Sequence, residues 1–282
     1  TAGMLGFAAV WMAYESGLHR TTDDWYLIPL GAVACSVLAC AHLNPHAFMH
    51  ALVPGGRAIG TVGSPPFLGC MLALAIPVAY QLNVVTLFGI IPALLLTRSK
   101  AAIIGAVVGV AVLLFFKHRR GVRRSTIILW SAIAILAACV VLNRGLSDVI
   151  RIEIWRISWR AALTYPVLGW GPDNFLDAFM QLRTATWIEA SGNGGLGAAE
   201  NAHNVVLHIL ATRGLVGAAA TAALAVAALR ALMNQAPESI WNHEERNIFL
   251  ACAAAVLAYS MFNPTPFMAW ALLAFMAGTI GI

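Results

Sequence analysis

Charged residues are scarce in this 282-residue chain. They make up 10% of the sequence, whereas 60% of the residues are hydrophobic and the mean hydropathy is +0.80. A soluble globular domain carries roughly 25% charged residues, so this composition excludes an ordinary soluble enzyme. Charge-poor runs long enough to cross an apolar layer of roughly 30 Å recur along the chain. Because backbone polar groups in lipid must be satisfied internally, we predict an all-α, polytopic integral membrane helical bundle.

Clustered metal ligands and buried acids are also missing. The five cysteines fall within apolar runs, without CxxC spacing or a neighbouring histidine: Cys35, Cys40, Cys70, Cys139 and Cys252. They are typical of small packing residues, so we expect neither a metal site nor a disulfide framework, and no cofactor. No Asp or Glu lies deep within an apolar run, which argues against a proton- or sodium-coupled pump.

The apolar runs predict a single membrane domain, residues 1–282, with about 8–10 transmembrane helices. The candidate spans are residues 1–14, 25–43, 65–81, 83–97, 100–116, 126–143, 215–233, 247–262 and 266–282. Much of the net charge of +5 lies in one cluster within FKHRRGVRRS at residues 116–125. This cluster indicates the cytoplasmic side under the positive-inside rule. No aromatic residues are interleaved with it, so we expect no nucleic-acid partner.

This orientation places the long segment 144–202 on the extracytoplasmic side, together with residues 44–64, the corner 98–100 and the turn 263–266. A loop of this length is usually functional or disordered, and we expect it to carry the active site. Residues 148–163 have the pattern of a helix. One face is apolar, and another is a polar stripe of Glu153, Arg156 and Arg160, either solvated or paired. Arg151 belongs to neither stripe and lies with Trp155 and Ser158.

Arg151 and His203 are the strongest candidates for chemistry. The planar guanidinium of an arginine among apolar neighbours suits phosphate oxygens, although it could also contact lipid headgroups at the interface. His203 follows a glycine-rich tract and opens an apolar run, and a neutral imidazole can take a proton from a hydroxyl. Arg98 and Lys100 place two cations at the outward corner between two spans. We interpret His208, five residues after His203, as a packing residue.

Four motifs resemble those of the O-antigen ligase and O-antigen polymerase family of membrane glycosyltransferases. GTVGSPPFLG resembles the Gly-Thr/x-Asn-Pro segment, with Ser64 where Asn is usual, and TRSKAA resembles the Thr-x-Ser-Arg corner, with Lys100 where Arg is usual. RIEIW followed by PVLGWGPDNF resembles the Arg-x-x-x-Trp element and its continuation. AHNVVLHILATRGLVG resembles the His-Asn helix start with its downstream Gly-Leu-x-Gly. Family members usually have further spans before this region, so we expect the chain to lack N-terminal helices.

The resemblance implies a GT-C-like bundle in the bacterial inner membrane that transfers a glycan without a metal. The donor would be a polyprenyl-diphosphate-linked glycan, and the acceptor a lipid A-core, a growing polysaccharide or a protein. His203 and Arg151 would be catalytic, and the substrate-binding residues would be Lys100, Arg98, Asn204 and Trp155. Two alternatives stay open: a small-anion or bicarbonate transporter, which needs polar residues along a path, and a non-catalytic protein that binds lipid-linked glycan.

Overall fold

The computed structural model of the chain describes residues 28, 31–32, 64–82, 84–117, 146–190, 197–233, 243–265 and 267–279. The predicted spans 1–14 and 126–143, most of span 25–43 and the basic cluster after Lys117 lie outside these ranges. Within them every regular element is helical, which confirms the all-α prediction. The helices are α1 (Pro65–Leu82), α2 (Leu87–Leu96), α3 (Lys100–Lys117), α4 (Leu146–Thr164), α5 (Phe175–Leu182), α6 (Ala185–Ala190), α7 (Val205–Met233), α8 (His243–Ser260) and α9 (Phe267–Thr279), with a 3-10 turn at Val84–Thr86.

Among the described residues most predicted helices appear close to their expected bounds, but the helix predicted at 215–233 begins earlier, at Val205. The span predicted at 83–97 consists of the 3-10 turn followed by α2. One helix in the described part of the chain, α7 over Val205–Ala231, is long and apolar enough to cross a membrane by length and composition. Three shorter helices are also apolar, over Pro65–Tyr80, Leu87–Leu96 and Lys100–Phe116. The number of membrane crossings therefore stays a prediction.

The described residues belong to two compact units. The first draws on Thr1–Val141, Ala236–Tyr259 and Thr265–Ile282, and the second on Leu142–Gln235 and Ser260–Pro264. In the first unit α1 packs mainly against α3, and small residues allow close approach of the helices. One example is Gly105 of α3, which lies against α8: a Cβ at this position would be 2.7 Å from the carbonyl oxygen of Ala255. Cys70 and Cys252 are fully buried in this unit, as expected of packing residues.

The second unit is built on α4, which packs against α7 and is contacted by α5 and α6. The apolar stripe predicted from the sequence forms its core, since Ile154, Ile157 and Ala161 are buried together. The polar stripe is divided between core and solvent. Glu153 is 3% exposed and accepts a hydrogen bond from Arg156 Nη1 at 2.8 Å, whereas Arg160 is exposed. A buried carboxylate needs such a partner to offset its lost hydration.

Helix α7 is broken at Gly214, whose φ of 60° and ψ of −163° are not helical. The loop that follows α4 fills this break, and we call the arrangement of Pro166–Gly171 with Ala211–Val216 the α4–α7 interlock. Four backbone hydrogen bonds hold it: Trp170 N–H to Ala211 O (2.9 Å), Gly171 N–H to Thr212 O (2.9 Å), Leu215 N–H to Pro166 O (2.8 Å) and Val216 N–H to Val167 O (3.1 Å). Carbonyl and amide groups left without helical partners at the break are thereby satisfied.

Two glycines make the α4–α7 interlock possible. A Cβ on Gly169 would lie 2.4 Å from the carbonyl carbon of Thr212, and one on Gly214 would lie 2.3 Å from the carbonyl oxygen of Val167. Both residues also have positive φ, where a Cβ is strained. The two family-like motifs PVLGWGPDNF and ATRGLVG therefore depend on each other through backbone contact.

Gly214→Ala should lower the free energy of unfolding by about 2–5 kcal/mol, because it combines left-handed strain with overpacking against backbone. Gly171→Ala is the matched control: its φ is also positive, but its Cβ would meet only the movable side chain of Asn174. We expect that control to cost about 1–2 kcal/mol. Thermal unfolding of the detergent-purified proteins measures both. Equal melting temperatures for the two variants would contradict a backbone-tight α4–α7 interlock.

Candidate active site

Arg151 lies near the start of α4 and reaches the turn that follows α8. It is partly buried, and its Nη2 donates a hydrogen bond to Oδ1 of Asn263 at 3.2 Å. The two residues belong to the same unit, although 112 positions separate them in the chain. One turn along α4, the ring of Trp155 lies against Phe262, with ring centroids 6.1 Å apart. The turn Ser260–Pro264 is therefore held against the predicted Arg-x-x-x-Trp element.

His203 lies immediately before α7 in a left-handed backbone conformation. Its φ is 50°, which is uncommon outside glycine. The side chain of Asn201 supports this conformation, because its Oδ1 accepts the His203 amide hydrogen at 3.0 Å. Strained backbone of this kind costs about 1–3 kcal/mol and occurs often at functional sites. The imidazole is partly buried.

Asn204 both begins α7 and ties it to the same turn. Its Oδ1 accepts hydrogen bonds from the amides of Val206 and Leu207, each at 3.0 Å, which is the capping role that asparagine favours. Its Nδ2 donates to the carbonyl oxygen of Met261 at 3.1 Å. Both polar atoms of the side chain are thus engaged within the protein. This arrangement favours a positioning role for Asn204 over the predicted contact with substrate.

The environment of His203 favours its neutral form. Burial lowers the pKa of the imidazole, and the positive charge of Arg151 lowers it further. The polar side chain of Asn263 opposes these two effects to a lesser extent and raises the pKa. A histidine whose pKa is lowered is neutral near pH 7, and only the neutral ring can accept a proton. His203 and Arg151 therefore offer a neutral base and a cation within the same unit.

Three buried polar atoms around this turn have unused hydrogen-bonding capacity. Trp155 Nε1, His203 Nδ1 and Asn263 Nδ2 have no hydrogen-bond partner among the described residues. Buried polar atoms are satisfied in the great majority of cases, and exceptions concentrate where a ligand or water binds. Their grouping beside Arg151 indicates a place where a polar substrate can be recognised.

Lys100 and Arg98 lie in the first unit, at the corner between α2 and α3. Hydrogen bonds of neutral residues stabilise this corner: Thr97 Oγ1 donates to Leu94 O at 2.6 Å and accepts from Ser99 N at 3.2 Å. Arg98 is exposed and left-handed, with φ 50°, directly after the C-cap residue of α2. Lys100 begins α3 and is partly buried. The role of both cations in substrate binding stays a prediction.

Within the second unit the structure brings Arg151, His203, Trp155 and Asn204 around one turn. Sequence reasoning missed Asn263, which accepts a hydrogen bond from Arg151 and raises the pKa of His203. The sequence feature that could have identified it is the Asn-Pro turn at 263–266, which the predicted topology places on the same extracytoplasmic side as the segment before His203. His208, by contrast, has its ring against Phe175, 5.2 Å between centroids, in keeping with the packing role predicted for it.

Among the residues that the structure describes, no group of three or more His, Cys, Asp and Glu side chains could hold a metal ion. A comparison with curated proteins finds no match. A family model described as O-antigen ligase matches residues 85–222, a segment that contains Arg98, Lys100, Arg151 and His203. Over this segment the chain is similar to the O-antigen ligase family, whose members are membrane-embedded enzymes that transfer glycans.

Proposed function

We propose that this protein transfers a glycan from a polyprenyl-diphosphate carrier to an acceptor hydroxyl on the periplasmic face of the bacterial inner membrane. The observation that carries this proposal is that Arg151 and His203 meet the same turn, Arg151 through its bond to Asn263 and His203 through its neighbour Asn204, which bonds Met261 O. The pair lies within one compact unit, and both members fall in the segment that matches the family. It combines a cation for a leaving diphosphate with a base for an attacking hydroxyl.

The reaction would be a direct displacement at the anomeric carbon of the donor sugar. The acceptor oxygen forms the new bond to that carbon while the bond to the carrier diphosphate breaks, and the diphosphate leaves with the bonding electrons. The hydroxyl proton passes to the neutral imidazole of His203. General-base catalysis of this kind contributes typically 10²–10⁴-fold to a rate.

Cationic side chains would supply the charge stabilisation that a divalent ion provides in other glycosyltransferases. Arg151 would donate to the departing diphosphate, because a planar guanidinium forms paired, charge-assisted hydrogen bonds with phosphate oxygens. Preorganised donors of this kind contribute most where negative charge develops in the transition state. We assign Lys100 and Arg98 a role in binding substrate, and Trp155 a role in binding the sugar.

A transfer assay with the purified full chain tests this function. The donor is an undecaprenyl-diphosphate-linked oligosaccharide, and separate reactions contain lipid A-core, free oligosaccharide or a periplasmic protein extract as acceptor. We expect one acceptor to gain the glycan, at a rate that excess EDTA leaves unchanged. Donor binding without product in any reaction would favour the non-catalytic alternative. Bicarbonate uptake into proteoliposomes without glycan transfer would favour the transporter.

A further inference from the structure

We propose that Asn263 is a positioning residue for this transfer, a neutral bridge that fixes the guanidinium of Arg151 relative to the imidazole of His203. The inference rests on the proposed function and goes beyond it, because Asn263 lies outside the segment that matches the family. It assigns a role to the turn Ser260–Pro264, which the sequence motifs do not include.

The contacts of this turn support the assignment. Asn263 is 3% exposed, its Oδ1 accepts from Arg151 Nη2 at 3.2 Å, and its side chain acts on the imidazole of His203 by raising its pKa. In the same turn, the carbonyl oxygen of Met261 accepts a hydrogen bond from Nδ2 of Asn204, the residue next to His203. Pro264 follows Asn263 and restricts its backbone to extended conformations. The turn is thus bonded directly to Arg151 through Asn263, and to Asn204, the neighbour of His203, through Met261.

The neutrality of the amide matters as much as its position. A carboxylate at residue 263 would pair with Arg151 and neutralise the charge that a diphosphate needs. It would also raise the pKa of His203 and so favour the protonated ring, which cannot act as a base. An amide offers an acceptor to Arg151 without either consequence. Among the described residues, Arg151 on α4 is the charged group that acts on His203.

Two variants of Asn263 separate positioning from simple structural support. Asn263→Ala should lower kcat about tenfold with little change in donor KM, because the reacting groups lose their mutual orientation while substrate still binds. It should also move the acidic limb of the kcat/KM–pH profile to lower pH, since it removes the side chain that raises the pKa of His203. Asn263→Asp should move that limb to higher pH, because the new negative charge favours protonation. The assay uses the full chain, the undecaprenyl-diphosphate-linked donor and the acceptor that is active with the wild type.

Asn174→Ala is the control, since Asn174 is an exposed asparagine of the same unit whose side chain bonds, among the described residues, only to the carbonyl of Trp170. Its pH profile and kcat should match those of the wild type. Asp is isosteric with Asn and keeps the acceptor for Arg151, so Asn263→Asp decides the matter if Asn263→Ala does not accumulate. Variants that lose melting temperature but keep the wild-type pH profile would overturn the inference. Absence of transfer by the wild type itself would instead reject the proposed function.

Discussion

His203→Ala is expected to abolish glycan transfer while the protein still accumulates in the membrane. The imidazole is the group placed to take the acceptor proton, and loss of a general base costs roughly 10²–10⁴-fold in rate. Among the described residues the side chain makes no hydrogen bond to the helices that form the core of its unit, so we expect its removal to leave the fold intact. Transfer from the undecaprenyl-diphosphate-linked donor, normalised to the amount of purified protein, measures the loss.

The left-handed backbone of His203 requires a second variant. Histidine and asparagine are both enriched at positive φ, such as the 50° of residue 203, whereas alanine is not. His203→Asn therefore removes the base with less disturbance of the loop and should be as inactive as His203→Ala. His243→Ala, at an exposed histidine that begins α8, is the control and should be fully active. Near-normal transfer by a well-inserted His203→Asn would exclude the base role.

Arg151→Lys should lose about ten- to a hundredfold in transfer rate. Lysine keeps the charge but lacks the planar fork that bonds both Asn263 and a phosphate, and a lost charge-assisted hydrogen bond costs about 1.5–3 kcal/mol. The loss should appear in kcat, because the charge on the diphosphate increases as it departs. Rates with the purified donor at saturating concentration test this expectation.

Arg160→Lys is the appropriate control for that experiment. Arg160 is exposed on the same helix, whereas Arg156 is bonded to the buried carboxylate of Glu153 at 2.8 Å. A change at Arg156 would disturb the core of the unit as well as its charge, so it does not serve as a control. Equal and mild losses at Arg151 and Arg160 would mean that Arg151 is an interfacial anchor, and His203 would then have no partner for the departing diphosphate.

Local patterns in the sequence predicted much of the second unit. The spacing of Ile154, Ile157 and Ala161 identified the buried face of α4, because helical periodicity alone decides which residues share a face. The resemblance to the family's His-Asn helix start indicated a helix after Asn204, and α7 begins at Val205 with Asn204 as its cap. Both features depend on contacts between residues close in the chain.

The sequence could not distinguish the members of the polar stripe on α4. Glu153 and Arg160 fall on the same predicted face, yet Glu153 is buried and Arg160 is exposed. The difference arises from Thr184, just before α6, whose Oγ1 donates to the second carboxylate oxygen of Glu153 at 3.4 Å. Helical periodicity carries no information about which short helix covers a face.

By itself, the sequence determined the helical class, the family motifs and the candidacy of Arg151 and His203. Only the tertiary structure decided that Arg151 bonds Asn263 and that the loop at Gly169 enters the break at Gly214. Composition, helical period and capping act over a few residues, and they can be read directly from the chain. A contact across 112 residues or a backbone fit between two glycine loops depends on how the intervening helices pack. That packing is set by many side chains together, and no single motif encodes it.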